Sequence, residues 1–246
     1  MVAIYWIYYM SVLANINYLE WESEFFSLKT GRLEFDAQAP VLTDKQLDAF
    51  ALVQAKVASH ELSLIDKLSQ LGFQFAEGEI DFKLPIGIEN ACKKAPELCF
   101  RKANDADIHL LMKTASEAFA QSRFRAPWYQ EDDSSRFYAL WVKKAVLGTF
   151  DDLCLLTYDN ENKVSGFVTL RRISESEARV GLLAVMPNRT GQGIGKQLMS
   201  AAKLWCQQQG ISTLYVATQI SNIAASRLYT HSGGLIESTT YWLYRG

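Results

Sequence analysis

The sequence predicts an α/β fold in two parts: a smaller N-terminal α/β domain over residues 17–85 and a larger domain over 97–246, joined by a linker over 86–96. Three observations carry this. Val180 to Val185 is an apolar run closed by Pro187-Asn188, and helical spacing then takes over, with Ile194, Leu198, Ala201, Ala202 and Trp205 on one face. Gly191, Gly193 and Gly195 alternate between the two. From Leu98 onward, strand-like and helix-like segments follow in the order β-α-α-β-β-β-α-β-α-β. Pro85 to Pro96 breaks the pattern with a proline at each end and mixed polarity between.

Met1 to Ala14 is almost wholly apolar and aromatic, with no Lys or Arg ahead of it. It lacks the basic start of a secretory signal and is too short to span a bilayer. An edge strand, a membrane-surface anchor, or residues upstream of the natural start remain as readings. The last is preferred, and residues 1–16 are set apart as an N-terminal extension.

Asn17 to Phe35, rich in aromatic and β-forming residues and punctuated by Gly31, reads as two short strands. Thr43 is expected to cap a helix carrying Leu47, Phe50, Ala51, Val53 and Val57. A second helix runs from about Glu61 to Gln70 and stops at Gly72. Phe73 to Leu84 alternates as a strand and contains Glu77-Gly78-Glu79. Leu98 to Lys102 is a further strand, and Asn104 caps a helix with Ile108, Leu111, Met112, Ala115 and Phe119. The loop Ser122 to Tyr129 is dense in arginine and aromatics. Asp132 to Leu147 is helical and ends at Gly148; Cys154–Tyr158 and Val164–Arg172 form a hairpin around 160–162. After the central strand and helix come a strand, Thr213 to Thr218, and a helix capped by Ser221 or Asn222 and stopped by Gly233-Gly234. Ile236 to Tyr244 closes the chain as a strand.

Formal net charge is -2 and no basic block stands out, which argues against nucleic acid as a partner. Cys92, Cys99, Cys154 and Cys206 form no C-x-x-C pair, and His60, His109 and His231 are far apart, so no metal site is expected. Free thiols suit a reducing compartment. Neither His231 nor Cys206 has a visible base and orienter, so both read as packing or surface residues. The three glycines suit a turn that lifts backbone N–H groups toward one point, with the positive end of the following helix dipole aimed there too. The physical reading is a pyrophosphate cradle.

The same segment resembles the acyl-CoA-binding motif of the GNAT acyltransferases, Arg/Gln-x-x-Gly-x-Gly/Ala. Gly193 and Gly195 match the two small positions. Thr190 stands where that family usually has Arg or Gln, with Arg189 one residue earlier, so the resemblance carries the backbone cradle and not that side chain. Asn222, followed by Leu228-Tyr229 and Gly233, also matches the family's pattern of an Asn and a Tyr seven residues on. The segment order from Leu98 is that of the GNAT fold, a mixed, mostly antiparallel central sheet flanked by helices. The resemblance extends to the family's nucleotide-amino-sugar acetyltransferases. It runs through Ser122-Arg123-Phe124-Arg125-Ala126-Pro127-Trp128-Tyr129, Val53-Gln54-Ala55-Lys56, Glu77-Gly78-Glu79 and Tyr241-Trp242-Leu243-Tyr244-Arg245, and covers about Asn17 to Arg245.

The resemblance implies transfer of acetyl from acetyl-CoA to the 4-amine of dTDP-4-amino-4,6-dideoxygalactose, by direct attack in the cytoplasm, for enterobacterial common antigen synthesis. It implies cofactor contacts from Leu183, Ala184, Val185, Thr190, Gly191, Gln192, Gly193, Ile194, Gly195, Lys196, Asn222 and Leu228. It also implies that the strands 181–185 and 213–218 splay to admit the pantetheine. An N–H near Leu183 would then face the thioester oxygen, and Tyr229 is the candidate acid toward the sulfur. Asn222 also reads as a plain N-cap. Glu77 and Glu79 are expected on opposite faces of their strand, with Glu77 the candidate base through a water and a base-free water relay left open. Arg123, Phe124, Arg125, Trp128 and Tyr129 suit a dTDP-sugar, arginine pairing with pyrophosphate and aromatics stacking on the base. No metal, no nucleic acid and no integral membrane span are expected, and a homodimer stays open. The alternatives are another small amine or a protein N-terminus as acceptor, or an acyl-CoA sensor without catalysis.

Overall fold

The computed structural model describes residues 11–87, 100–119, 122–159, 161–187 and 189–246. It divides into two units, each considered by itself. Unit 1 joins the chain up to Glu79 with Arg123–Glu131 and Thr239–Gly246; unit 2 is Ile80–Ser122 with Asp132–Ser238. This membership differs from a contiguous division near residues 86–96. The reason is hydrogen bonding: a strand from the far end of the sequence pairs with Leu52–Ala58. Most of the expected linker, from residue 88, lies outside the described residues.

In unit 1, β1 (Ala14–Tyr18) pairs antiparallel with β2 (Thr30–Phe35), β2 parallel with β3 (Leu52–Ala58), and β3 antiparallel with β10 (Leu235–Arg245), in the register Thr240↔Ala58 to Arg245↔Val53. Val12, Ala14, Leu33, Val53, Ala55, Val57 and Leu243 form its core with Leu47, Leu68 and Phe73. Val12 and Ala14 are therefore part of the fold, although the sequence set residues 1–16 apart; residues 1–10 lie outside the description.

Two element assignments are corrected here. Between β1 and β2 the chain forms α1 (Glu20–Phe26), where only strands were expected. Glu20 and Glu22 favour a helix start, Trp21 stacks on Phe25 one turn on at 5.5 Å, and Ser27 closes the helix in the left-handed region. Thr43 does cap a helix, through a capping box with Gln46, but α2 (Asp44–Leu47) is one turn long and Leu52–Ala58 is a strand. β3 alternates core-facing Val53, Ala55 and Val57 with Gln54 and Lys56, a strand period obscured by the helical spacing that runs on from Leu47 and Phe50. α3 (Leu62–Gln70) and β4 (Gln74–Pro85) fall where expected; β4 passes from unit 1 into unit 2.

Unit 2 holds β5 (Phe100–Lys102), β6 (Leu153–Tyr158), β7 (Val164–Arg172), β8 (Glu177–Val185) and β9 (Thr213–Gln219). Its order β9-β8-β7-β6-β5 is antiparallel except for the parallel β8–β9 pair. Asn104 caps a 3-10 turn, Asp105–Asp107, that leads into α4 (Ile108–Ala118); α5 (Asp133–Val146), α6 (Ile194–Gln208) and α7 (Ile223–His231) follow. α6 covers one face of the sheet: Ile194, Leu198, Met199, Ala201 and Ala202 cluster with Val168, Leu170, Val180, Leu214 and Val216. On the other face, Leu111, Ala115, Val142 and Val146 of α4 and α5 meet Cys154, Leu156, Phe167, Leu182 and Ala184. The α/β prediction, a mixed and mostly antiparallel sheet flanked by helices, describes this unit.

Candidate active site

The strand, glycine turn and helix predicted around residues 180–205 are all present in unit 2, as β8 to Val185, a turn through Gly191 and Gly193, and α6 from Ile194. The β8–β9 ladder runs from Glu177↔Thr213 to Val180↔Val216. β8 continues to Val185 and β9 to Gln219, but no pair joins them beyond that point among the described residues. The strands part where the family resemblance implies a gap. Leu182 N–H points to β7, donating to Thr169 Oγ1 at 2.8 Å, and Met186 N–H does the same to Ser165 O at 2.9 Å. Alternation along a strand then turns the N–H groups of Leu183 and Val185 to the opposite, open edge. The side chain of Ala184 is buried with α4 and α5, leaving its backbone as the part that can reach a ligand.

Gly191 and Gly193 have φ of +78° and +81°, a region costly for side chains, and a Cβ at either would meet no atom within 4 Å. Space above the turn is open, as a backbone cradle requires. Gly193 is the N-cap of α6, so the first N–H groups of that helix face the same side. Thr190, Gln192 and Lys196 are exposed around the turn, and Ile194 anchors it in the core. Gly195 serves packing: a Cβ there would lie 3.0 Å from Leu228 Cδ2. Arg189 donates to Asp159 Oδ2 at 2.5 Å, which ties the start of the turn to the β6–β7 connection. These residues fit a CoA pyrophosphate and pantetheine.

On α7, Asn222 Oδ1 accepts from Ala225 N–H at 3.0 Å, so the N-cap role is real. Tyr229, seven residues on, is 5 % exposed and packs edge-on against Phe82 at 5.6 Å between centroids. Burial pushes its phenol well above the ordinary range, so it keeps its proton at neutral pH. His231 Nδ1 contacts Arg227 O at 2.7 Å, and burial pushes the Cys206 thiol up to about 12; neither is set up as a nucleophile. Among the described residues no group of three metal-ligating side chains occurs.

The arginine-aromatic loop belongs to unit 1. The Arg123 guanidinium lies 4.1 Å from the Trp242 ring centroid and 4.3 Å from that of Phe124, and donates to Tyr244 Oη. Phe124 and Tyr129 are buried against Phe26, and Tyr129 Oη accepts from Gln54 Nε2 at 3.0 Å. Both rings are core, which takes them away from stacking on a base. Arg125 and Trp128 remain more open: Arg125 stands 5.2 Å from the Trp128 ring and donates to the carbonyls of Ala126 and Ala76 at 2.9 and 3.1 Å. Sequence reasoning missed the partners. Arg32 and Lys56 also approach Trp242, at 5.3 and 5.4 Å, and Glu79 accepts from Lys56 at 2.6 Å and from Trp242 Nε1 at 3.1 Å. The signal for Gln54, Lys56 and Trp242 was their place in the quoted resemblance runs, where no role had been attached to them.

Glu77 and Glu79 share one face of β4, both half-buried, with buried Ala76 and Gly78 on the other. The expectation of opposite faces is corrected by the strand period itself, since residues two apart lie on the same side. Burial raises Glu77 above the usual carboxylate range, against a lowering contribution from the Gly78 N–H at 2.9 Å and from Arg125.

Residues 108–233 match the Acetyltransferase (GNAT) family. The chain is 44% identical over 236 residues to the dTDP-fucosamine acetyltransferase of Escherichia coli O6:H1, covering 96% of this chain and 100% of that one. It is 25% identical to the mycothiol acetyltransferase of Acidimicrobium ferrooxidans over 74% of this chain and 59% of that protein. Among solved structures, a conserved protein of unknown function from Staphylococcus epidermidis superposes with TM-score 0.62 at 14% identity, over 95% of this chain and 91% of that one. A GCN5-related N-acetyltransferase from Sphaerobacter thermophilus gives 0.57 at 14% identity, over 79% and 59%.

Proposed function

Because the chain belongs to the GNAT acetyltransferase family, we propose that it moves acetyl from acetyl-CoA to the 4-amine of dTDP-4-amino-4,6-dideoxygalactose by direct attack, in the cytoplasm. The observation that carries the acyl half is the open edge of β8 beside a positive-φ glycine turn. The acceptor half is taken from the near-full-length likeness to dTDP-fucosamine acetyltransferase. Among the described residues no helix is long and apolar enough to cross a membrane.

Bound acetyl-CoA supplies a thioester whose carbonyl carbon can accept the amine. The chain's own residues do the rest. N–H groups of residues 191–196 hold the pyrophosphate, with Asn222 and Leu228 beside it. Leu183 N–H bonds the carbonyl oxygen as negative charge develops there, a contribution of about 3 kcal/mol for such donors. Glu77, through a water, takes the proton from the acceptor ammonium; its raised affinity for protons suits that task. Tyr229, kept protonated by burial, gives a proton to the departing sulfur. Arg125 and Trp128 hold the nucleotide end of the acceptor, and the Arg123 stack keeps their loop in shape. Thiol release from acetyl-CoA, measured across dTDP-sugars bearing the amine at C3 or C4 and across simple amines, tests the proposal. Turnover is expected chiefly with the 4-amino-4,6-dideoxy sugar; equal turnover with simple amines, or none with any sugar, overturns it.

A further inference from the structure

β8 carries an irregularity just where it leaves β9. Leu183 pairs with Val168 and Val180 with Leu170, so Gly181 and Leu182 together stand opposite Thr169 alone. That extra residue is a β-bulge, which bends a strand and re-aims its backbone groups. A bulge leaves one N–H without its ladder partner. Here Leu182 N–H finds a side chain, Thr169 Oγ1 at 2.8 Å. Thr169 in turn donates to Asp151 Oδ2 at 2.6 Å, and Trp141 Nε1 donates to the same oxygen at 2.7 Å. Asp151 is 1 % exposed, and the Arg171 Nε lies 4.0 Å from its other oxygen.

The direction of these bonds matters. A carboxylate only accepts, so the single Thr169 hydroxyl proton is committed to Asp151 and a lone pair is left facing Leu182 N–H. Gly181 makes room for the carboxylate: a Cβ there would collide with Asp151 and lie 2.7 Å from Thr169 Oγ1. The N–H of Leu183, the next residue after the clamped one, faces the open edge.

We infer that Asp151 and Thr169 are a positioning pair that sets the bulge in β8 and so aims Leu183 N–H at the thioester carbonyl. This rests on the role proposed for Leu183. Neither residue is assigned a contact with substrate; Asp151 ends the resemblance run Gly148-Thr149-Phe150-Asp151 with no role attached to it, and Thr169 carries no motif.

The test uses the full chain with acetyl-CoA carrying a ¹³C label at the thioester carbonyl, and no acceptor. Isotope-edited infrared spectroscopy reads the carbonyl stretch of the bound molecule. In the wild type the band is expected to shift to lower frequency than in water. Thr169→Val should lose that shift while binding acetyl-CoA within twofold of wild type by calorimetry, and its kcat should fall about tenfold or more, as for a misplaced carbonyl donor. Thr169→Ser, which keeps the hydroxyl, should restore the shift and kcat. Should Thr169→Val fail to fold, Asp151→Asn decides on the same readout, since its amide frees the hydroxyl to turn away from its set direction. A shift retained in the valine or asparagine variant overturns the positioning role and leaves Leu183 in place. A wild type without any shift overturns the role of Leu183 and the pair with it.

Discussion

Tyr229 combines two properties that rarely serve one another: it is buried among apolar side chains, and it ends in a proton. Burial without a charged partner raises the phenol's hold on that proton. Such a group keeps its proton at neutral pH and can hydrogen-bond the departing sulfur. Its tightened hold makes it a weaker acid, so the proton passes only as the C–S bond breaks and charge develops on the thiolate. Tyr229→Phe keeps the packing on Phe82 and removes only the hydroxyl. We expect kcat to fall by about 10²-fold, within the range of general acids, with KM for acetyl-CoA little changed. Steady-state kinetics check this, and a kcat within threefold of wild type with chemistry rate-limiting removes Tyr229 from the mechanism. Glu77 behaves in the opposite sense. Its base form is the carboxylate, and burial raises the pH at which that form appears. The acid limb of kcat/KM should therefore lie above the usual glutamate range and vanish in Glu77→Gln. Arg125 lowers the Glu77 carboxyl, so Arg125→Ala should move the limb to still higher pH. A pH profile with unchanged limbs in both variants would leave the water relay without Glu77.

At the scale of elements, the turn from β8 into α6 and the loop of residues 123–129 show how unevenly a sequence reveals its parts. The turn was legible because its glycines, apolar strand and helix face are local and periodic. Gly193→Val would force a β-branched residue to φ near +81°, a strain on the order of 1–3 kcal/mol, and fill the open space above the cradle. Calorimetry on the folded variant should find acetyl-CoA affinity sharply reduced. The loop was legible as unusual, yet its two arginines could not be told apart, because what separates them is distant in sequence. Arg123 meets Trp242, Tyr244 and Gln54, more than a hundred residues away in one direction and 69 in the other. We expect Arg123→Ala to lower the melting temperature through lost stacking and hydrogen bonding, and Arg125→Ala to raise KM for the dTDP-sugar without affecting stability. Thermal melts and kinetics on the two single variants separate these roles; a stable Arg123→Ala with raised KM reverses them. α1 and β3 were hidden for related reasons. Aromatics serve helices and strands alike, and the alternation of Val53, Ala55 and Val57 with Gln54 and Lys56 was outweighed by the helical spacing of apolar residues that runs on from Leu47 and Phe50.

At the scale of the whole molecule, sequence order and packing order diverge. Unit 1 is assembled from three separate stretches, and β3 finds its antiparallel partner only in Thr240–Arg245. Leu243 and Tyr244, at 5 % and 0 % exposed, carry core contacts into unit 1 from the opposite end of the sequence. Removing residues 239–246 should expose that core and release β3 on one edge. Hydrogen exchange is expected to find the β2 and β3 amides of the truncated chain unprotected while those of α6 remain slow; protected β3 amides would contradict this reading.

The β3–β10 pairing also sets a timetable for birth on the ribosome. Roughly 180 residues separate Ala58 from Thr240, and at about 5–20 residues per second their translation takes on the order of ten to forty seconds. Throughout that interval the nascent β3 presents an apolar strand with one bare hydrogen-bonding edge, the kind of template on which neighbouring chains aggregate. Yield in cells should thus respond to translation speed and to holdase chaperones at a stage when the cradle has not yet been made.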